Sequence, residues 1–228
     1  MKITKLHIAA FIAILFQLSG LIGILYTPYK DWFVQHTAFN LLLMCVLLVW
    51  VHPGKNRSFW LYFFLAFAVG MGTEMIGVHT GILFGNYQYG EILGPKLLGV
   101  PLLIGLNWFV AVISVVSVME QFQQWIKKKI PGSAAEIPEG ITTLSMIIDG
   151  ALLAVFFDWI MEPVAVKLGF WKWQNGAIPL YNYICWFLVS VFLLVLLRKF
   201  PFPKANHFAV HLFIIQLLFF WILRTFLT

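Results

Sequence analysis

Three carboxyl groups set in otherwise apolar sequence, Glu74, Asp158 and Glu162, are the residues best suited to chemistry. Asp158 and Glu162 are four residues apart and so share one helical face. Glu74 stands near the end of an apolar run, in GMGTEMIGVHTG. A charge at the centre of a membrane helix costs roughly 2.5–3.5 kcal/mol on insertion scales, so each of these groups needs a partner or a task. With almost no cation nearby they cannot all stay ionised in a low dielectric, and a neutral carboxylic acid there can give up a proton. Asp149 lies nine residues before Asp158, about half a turn round, and points away from the pair. For Asp149 a structural role, hydrogen bonding across a bundle, weighs as much as a functional one; for the other three, convergence at one depth favours function.

The stretch from Gly70 to Pro101 is the main concentration of polar residues. Beyond Glu74 it carries His79, Thr80, Asn86, Tyr87, Gln88, Tyr89 and Glu91, interleaved with glycines. Glycine lets backbone fold tightly against helices or a ligand. Non-helical backbone at membrane depth is tolerated where it is buried in protein or lines a cavity, so the segment is expected to form a re-entrant cap over a pocket. His79 and Thr80 are pocket residues or loop caps with equal weight. Trp171 and Trp173, with Tyr181, Tyr183 and Trp186, would ordinarily make an interfacial belt. The two tryptophans can also line the same pocket, where an aromatic face stabilises a cation.

Other arrangements point to less. His207 and His211 have metal-ligand spacing but no third ligand on their face, and interfacial histidines are the expectation. Cys45 and Cys185 sit inside apolar runs as small hydrophobes, without disulfide, zinc or haem-attachment spacing. No nucleotide-binding or other cofactor motif is present, so neither a cofactor nor a metal is expected.

The elements that must position these residues are membrane helices. The chain is 61% hydrophobic and 11% charged, against about 25% charged in soluble domains. The net charge of +6 is spread in short clusters at the ends of apolar runs, which speaks for topology signals and against a nucleic-acid partner. Seven runs are long enough to span about 30 Å of hydrocarbon: Leu6–Tyr26, Trp32–Val51, Ser58–Val78, Pro101–Met119, Ile141–Met161, Leu180–Leu197 and His207–Phe226. The expected fold is an all-α polytopic bundle of about seven transmembrane helices, a single domain over residues 1–228, with the glycine- and tyrosine-rich cap between helices three and four. The first run follows Lys2 and Lys5 as a signal peptide would, yet its length and the lack of a cleavage pattern mark it as a helix. Turn signals between the runs include Pro131-Gly132-Ser133, and Pro163 is expected to break or kink the fifth helix just after Glu162.

Basic residues in alternate loops sum to ten on the side of the N-terminus and five on the other. That asymmetry predicts a multi-pass protein of the cell inner (plasma) membrane with its N-terminus cytoplasmic and its C-terminus outside. Glu74 then lies about 24 Å along its helix and Asp158 about 26 Å along its own, both in the outer leaflet.

GTEMIGVHTGILFGNYQYGEILGPKLLGVP, with EPVAVKLGFWKW and PLYNYICWF, resembles the CruF-type integral-membrane carotenoid hydratases, which include bisanhydrobacterioruberin hydratases and carotenoid 1′,2′-hydratases. The likeness spans about Gly70 to Phe187. Its core is a helix-embedded Glu followed by TG, FGxYxY, LGP and GVP. The resemblance implies cofactor-independent addition of water across the terminal C1′=C2′ double bond of an acyclic carotenoid end, giving a tertiary alcohol. Positions matching the family are Glu74, Thr80, Gly81, Phe84, Gly85, Tyr87 and Tyr89, then Asp158, Glu162, Pro163, Trp171 and Trp173. Glu74, Asp158 and Glu162 become the catalytic candidates. His79, Thr80, Phe84, Tyr87, Tyr89, Asn107, Trp171, Trp173 and Asn182 become the substrate-binding ones. The chain departs from the pattern at Gly105 and Asn107, where Pro and Ala are common, and at Glu162, where Asp is frequent. The implied partners are the carotenoid, the lipid bilayer and neighbouring enzymes of the carotenoid pathway.

Acid-catalysed hydration needs a neutral acid for C2′, a stabiliser for the cation at C1′ and one positioned water. Buried carboxyls, aromatic faces and a polar cap can supply them. Two other classes stay open. A membrane carotenoid cyclase also begins by protonating a polyene but excludes water. A small proton-coupled transporter also buries acids, but would usually show paired broken helices in two related halves.

Overall fold

Runs of Leu, Val, Ile and Phe in a lipid environment must satisfy their backbone internally, and the helix does so within one segment. The computed structural model describes residues 3–129 and 138–227, so Lys2 and the turn expected at Pro131-Gly132-Ser133 lie outside the described residues. Its helices are α1 (Lys5–Tyr26), α2 (Lys30–Gln35), α3 (Thr37–Val51), α4 (Arg57–Thr80), α5 (Leu102–Lys129), α6 (Glu139–Lys167), α7 (Leu180–Arg198) and α8 (His207–Phe226). Six of them, all but α2 and α3, are long and apolar enough to cross a membrane. This is the expected all-α membrane bundle.

Several helices start on side-chain caps. Thr4 and His7 form a capping box on α1, the Asn56 side chain accepts from Phe59 N at 3.0 Å, and Asn206 accepts from Phe208 N at 3.0 Å and Ala209 N at 3.3 Å. Asn206 Nδ2 also donates to the Leu48 carbonyl and lies 3.1 Å from His52 Nδ1, tying the end of α3 to the start of α8.

One expectation needs correction, and of a second, a break or kink at Pro163, the break falls away. The run Trp32–Val51 is kinked at His36 (φ −90°, ψ 7°), which separates α2 from α3. The Trp32 carbonyl lies 2.7 Å from His36 Nδ1, and the two rings stack 4.0 Å apart. The 15-residue α3 left after the kink is about 22 Å long. Pro163, in contrast, does not end its helix: α6 continues to Lys167. Proline cannot donate to the carbonyl four residues back, which is that of Trp159. Arg224 of α8 supplies the missing donor, its Nη1 2.7 Å from Trp159 O, while its guanidinium lies 4.1 Å from the Trp159 ring centre.

Helix α5 is the hub, packing against α3, α4, α6, α7 and α8, with Trp108, Phe109 and Ile113 at its buried core. Helix α1 packs on α8, α2 and α3, and α6 lies against α7 and α8. Helix α4 stops at Gly81, whose φ of +66° is a left-handed conformation that favours glycine, and whose N–H bonds the Gly77 carbonyl at 2.8 Å.

The cap is built from short strands: β1 (Tyr87–Tyr89), β2 (Lys96–Leu97) and β3 (Val100–Pro101), with β4 (Trp171–Trp173) following α6. Strands β2 and β3 make a small hairpin. Strand β1 pairs antiparallel with β4, joining segments far apart in sequence, with Tyr87 opposite Trp173 and Tyr89 opposite Trp171.

Candidate active site

Successive side chains on a strand point to opposite faces. In the β1–β4 ribbon this puts Tyr87, Tyr89, Trp171 and Trp173 on the inner face, where all four line a central cavity of about 100 Å³. Gln88 and Lys172 take the outer face and line a polar pocket with Asn86 and Gln174. Tyr87 and Trp173 border both spaces, so the ribbon is the wall between them. Gly90 holds it against the end of α6: a Cβ there would meet the Gly169 carbonyl oxygen at 2.2 Å, and Gly90 N–H donates to Phe170 O at 2.8 Å.

Glu74, Asp158 and Glu162 all line the central cavity and are buried, at 5%, 0% and 3% exposure. Glu74 sits on α4 six residues before its end. Its Oε2 accepts from the Tyr87 hydroxyl and, at 2.8 Å, from that of Tyr89; its Oε1 accepts from Trp108 Nε1 at 3.0 Å. Burial, and then the charge of Glu74, push both phenols well above the usual tyrosine range, so Tyr87 and Tyr89 remain protonated donors. Glu162 Oε2 accepts from Trp171 Nε1 at 3.0 Å and Trp173 Nε1 at 3.1 Å. Asn182, on α7, bridges the two α6 acids, its Nδ2 2.8 Å from Asp158 Oδ2 and 3.4 Å from Glu162 Oε1.

Among the carboxyl oxygens of the three acids, one stands apart. Asp158 Oδ1 is buried and has no hydrogen-bond partner among the described residues. A buried polar atom is ordinarily satisfied, so an orphan in a cavity marks a place where a ligand or a proton is to be handled. The one ion pair among the described residues is Lys96 with Glu91, 2.7 Å apart in the cap, so no cation neutralises the acid cluster there.

Sequence-derived candidates divide clearly. Phe84, Tyr87, Tyr89, Asn107, Trp171, Trp173 and Asn182 line the cavity with the three acids. His79 and Thr80 do not: His79 Nε2 lies 3.1 Å from Leu98 O, and Thr80 Oγ1 donates to Ile76 O at 2.6 Å while accepting from Ile82 N at 3.1 Å. They are the loop caps of the two readings. Phe84 has a φ of +63°, rare for a bulky residue, and its N–H donates to Cys185 Sγ at 3.2 Å. Asp149 is exposed and takes a 2.5 Å hydrogen bond from Ser145 Oγ. Trp108 was not a sequence candidate, though it donates to Glu74 and stacks on Trp186 at 4.3 Å. Only its place beside Asn107, one turn and more into an apolar helix, could have drawn attention to it.

A family model described as "Carotenoid biosynthesis protein" matches residues 34–228. The chain is also 27% identical over 208 residues to a bisanhydrobacterioruberin hydratase of Haloarcula japonica; the match covers 86% of this chain and 66% of that protein, just under two thirds of its length. No solved structure matches.

Proposed function

The chain belongs to the carotenoid biosynthesis protein family, and from that premise we propose that it is a hydro-lyase adding water to the terminal C1′=C2′ double bond of an acyclic carotenoid end. The observation that carries this reading is the unpartnered Oδ1 of Asp158 in a cavity walled by aromatic rings and a second and third carboxyl group. The name of the Haloarcula japonica relative supports it independently.

Asp158, neutral, delivers its proton from Oδ1 to C2′; the electron pair of the double bond forms the new C–H bond and leaves a tertiary cation at C1′. The faces of Tyr87, Trp173 and Trp186 and the charge of the donor-held Glu74 stabilise that cation. Water attacks C1′, and its surplus proton passes to a carboxylate of the cluster, for which Glu162 Oε1, with only a long contact to Asn182, has free lone pairs. The cluster regains the proton it gave, so the balance is alkene plus water to tertiary alcohol, with the chain's own acids as catalyst. The outer polar pocket, separated from the cavity by Tyr87 and Trp173, is the source of water. The inner membrane, with N-terminus inside, is the proposed setting, and the carotenoid and the bilayer are its proposed partners.

The test is expression in a lycopene- or γ-carotene-producing bacterial host, with pigments separated by chromatography and weighed by mass spectrometry. Each reacted end gains the mass of one water while the visible spectrum hardly moves, because the terminal double bond lies outside the conjugated system. Unmodified carotenoid from well-expressed protein removes the hydratase reading, and a cyclised product replaces it with a cyclase.

A further inference from the structure

A second cavity, of about 260 Å³, lies between α1, α2, α3 and α8 and shares Leu41, Phe170, Gln216 and Phe220 with the central one. The central cavity, at about 100 Å³, has room for one branched chain end beside the acids, so the rest of a long isoprenoid must lie elsewhere. The shared residues make the second cavity its continuation. Phe16 and Phe39 line it and are also exposed on the surface of the bundle, 6.5 Å apart, where lipid would lie.

That space is not uniformly apolar. Gln17 of α1, Asn40 of α3 and Gln216 of α8 converge on it from three helices, and Gln17 and Gln216 are only 5% and 8% exposed. Gln17 Oε1 and Asn40 Oδ1 are buried and have no hydrogen-bond partner among the described residues. Unsatisfied amide oxygens in an apolar site are costly, and they share one chemical demand: a hydrogen-bond donor. None of these three residues takes part in the acid cluster. We propose that the second cavity is the far part of the substrate channel and that Gln17, Asn40 and Gln216 form a subsite accepting a hydrogen bond from a hydroxyl set back from the reacting end of the isoprenoid. The inference rests on the hydratase reading for which end reacts, but not for whether the subsite binds a donor.

Farnesol and geranylgeraniol end in the same dimethyl-alkene tail and carry one hydroxyl, and their methyl ethers keep the length but cannot donate. Binding is measured on purified full-length Asp158→Asn protein in detergent, from the change in tryptophan emission, so that no turnover intervenes. At least one of the two alcohols binds about tenfold more tightly than its ether, as one newly satisfied buried acceptor would give. In Gln17→Leu and Gln216→Leu, each placed in the same background, that ratio falls towards one. Equal binding of alcohol and ether before any further substitution, failure of both to bind, or a ratio that survives both leucine variants overturns the proposal. The pigment assay in the carotenoid-producing host is run in parallel on the wild-type protein. An intact binding ratio together with unmodified carotenoid there leaves the subsite standing and removes only the hydratase reading.

Discussion

Tyr87 and Trp173 face each other across the two-stranded ribbon with ring centres 5.1 Å apart, and each donates a hydrogen bond to a different acid, Tyr87 to Glu74 and Trp173 to Glu162. A single cross-strand pair therefore sets the positions of carboxyl groups carried by two helices, α4 and α6. Loss of either donor is felt at both acids, because the rings are also packed on one another. Tyr87→Phe keeps the ring and removes the hydroxyl. It is expected to lower turnover at least tenfold and stability by about 1–3 kcal/mol, read from pigment analysis and from thermal unfolding in detergent. Unchanged turnover would show that Glu74 needs no such support.

Asp158→Asn and Glu74→Gln are each expected to abolish detectable hydration at equal protein levels in the membrane. At Asp158 an amide keeps the shape of the carboxylic acid but cannot deliver a proton to carbon, and general acids contribute on the order of 10²–10⁴ in rate; at Glu74 the amide removes the negative charge that stabilises the cation at C1′. Asp149→Asn, at an exposed site, is expected to be mild. Glu162→Asp retains activity if that group handles water rather than donating the first proton. Near-normal product from both the Asp158→Asn and Glu74→Gln variants would leave the acids as structural glue.

Arg224 and Pro163 should be energetically coupled. Arg224→Ala strips the Trp159 carbonyl of its donor and is expected to cost about 1–2 kcal/mol, a fall of several degrees in Tm for a chain of this size. In a Pro163→Ala background the new backbone N–H can serve that carbonyl, so the same substitution costs markedly less. A double-mutant cycle by thermal unfolding measures the difference, and strict additivity would dissociate the pair.

Gly90→Ala is expected to push the ribbon off the end of α6, because the added Cβ meets backbone rather than a side chain that could move. Hydration should be lost while helix content by circular dichroism stays unchanged. Retained activity would mean that the ribbon can shift without disturbing the acids.

Cysteine labelling tests the orientation. Asn86→Cys, in the cap, should react from outside, and Ser133→Cys from the cytoplasm, as the basic asymmetry requires. Labelling of position 133 from outside alone would invert the topology.

The helices and the acids were legible because burial in lipid leaves strong marks: long apolar runs, and carboxyl groups where none should be free. Asp158 and Glu162 could be placed on one face from their spacing alone. The ribbon was not legible, since Tyr87-Gln88-Tyr89 and Trp171-Lys172-Trp173 are each too short for alternation to be distinguished from a loop, and their pairing spans more than eighty residues. The continuation of α6 through Pro163 was hidden for a related reason. The rescuing donor, Arg224, lies sixty-five residues from the carbonyl it serves and reads in sequence only as a basic residue near a helix end. His79 and Thr80 have pocket chemistry but spend it on local backbone, which their residue types allow equally well.

The ribbon's place near one end of the bundle would give the proposed hydration a direction in space. A hydrocarbon chain end has no preference between the two faces of a bilayer, whereas an alcohol does. If the alcohol forms behind Tyr87 and Trp173, it arises beside the surface that carries the polar pocket, and the product is released already anchored there. Hydration would then be vectorial: it would fix which leaflet holds the polar end of the pigment, with no separate step to turn the molecule over.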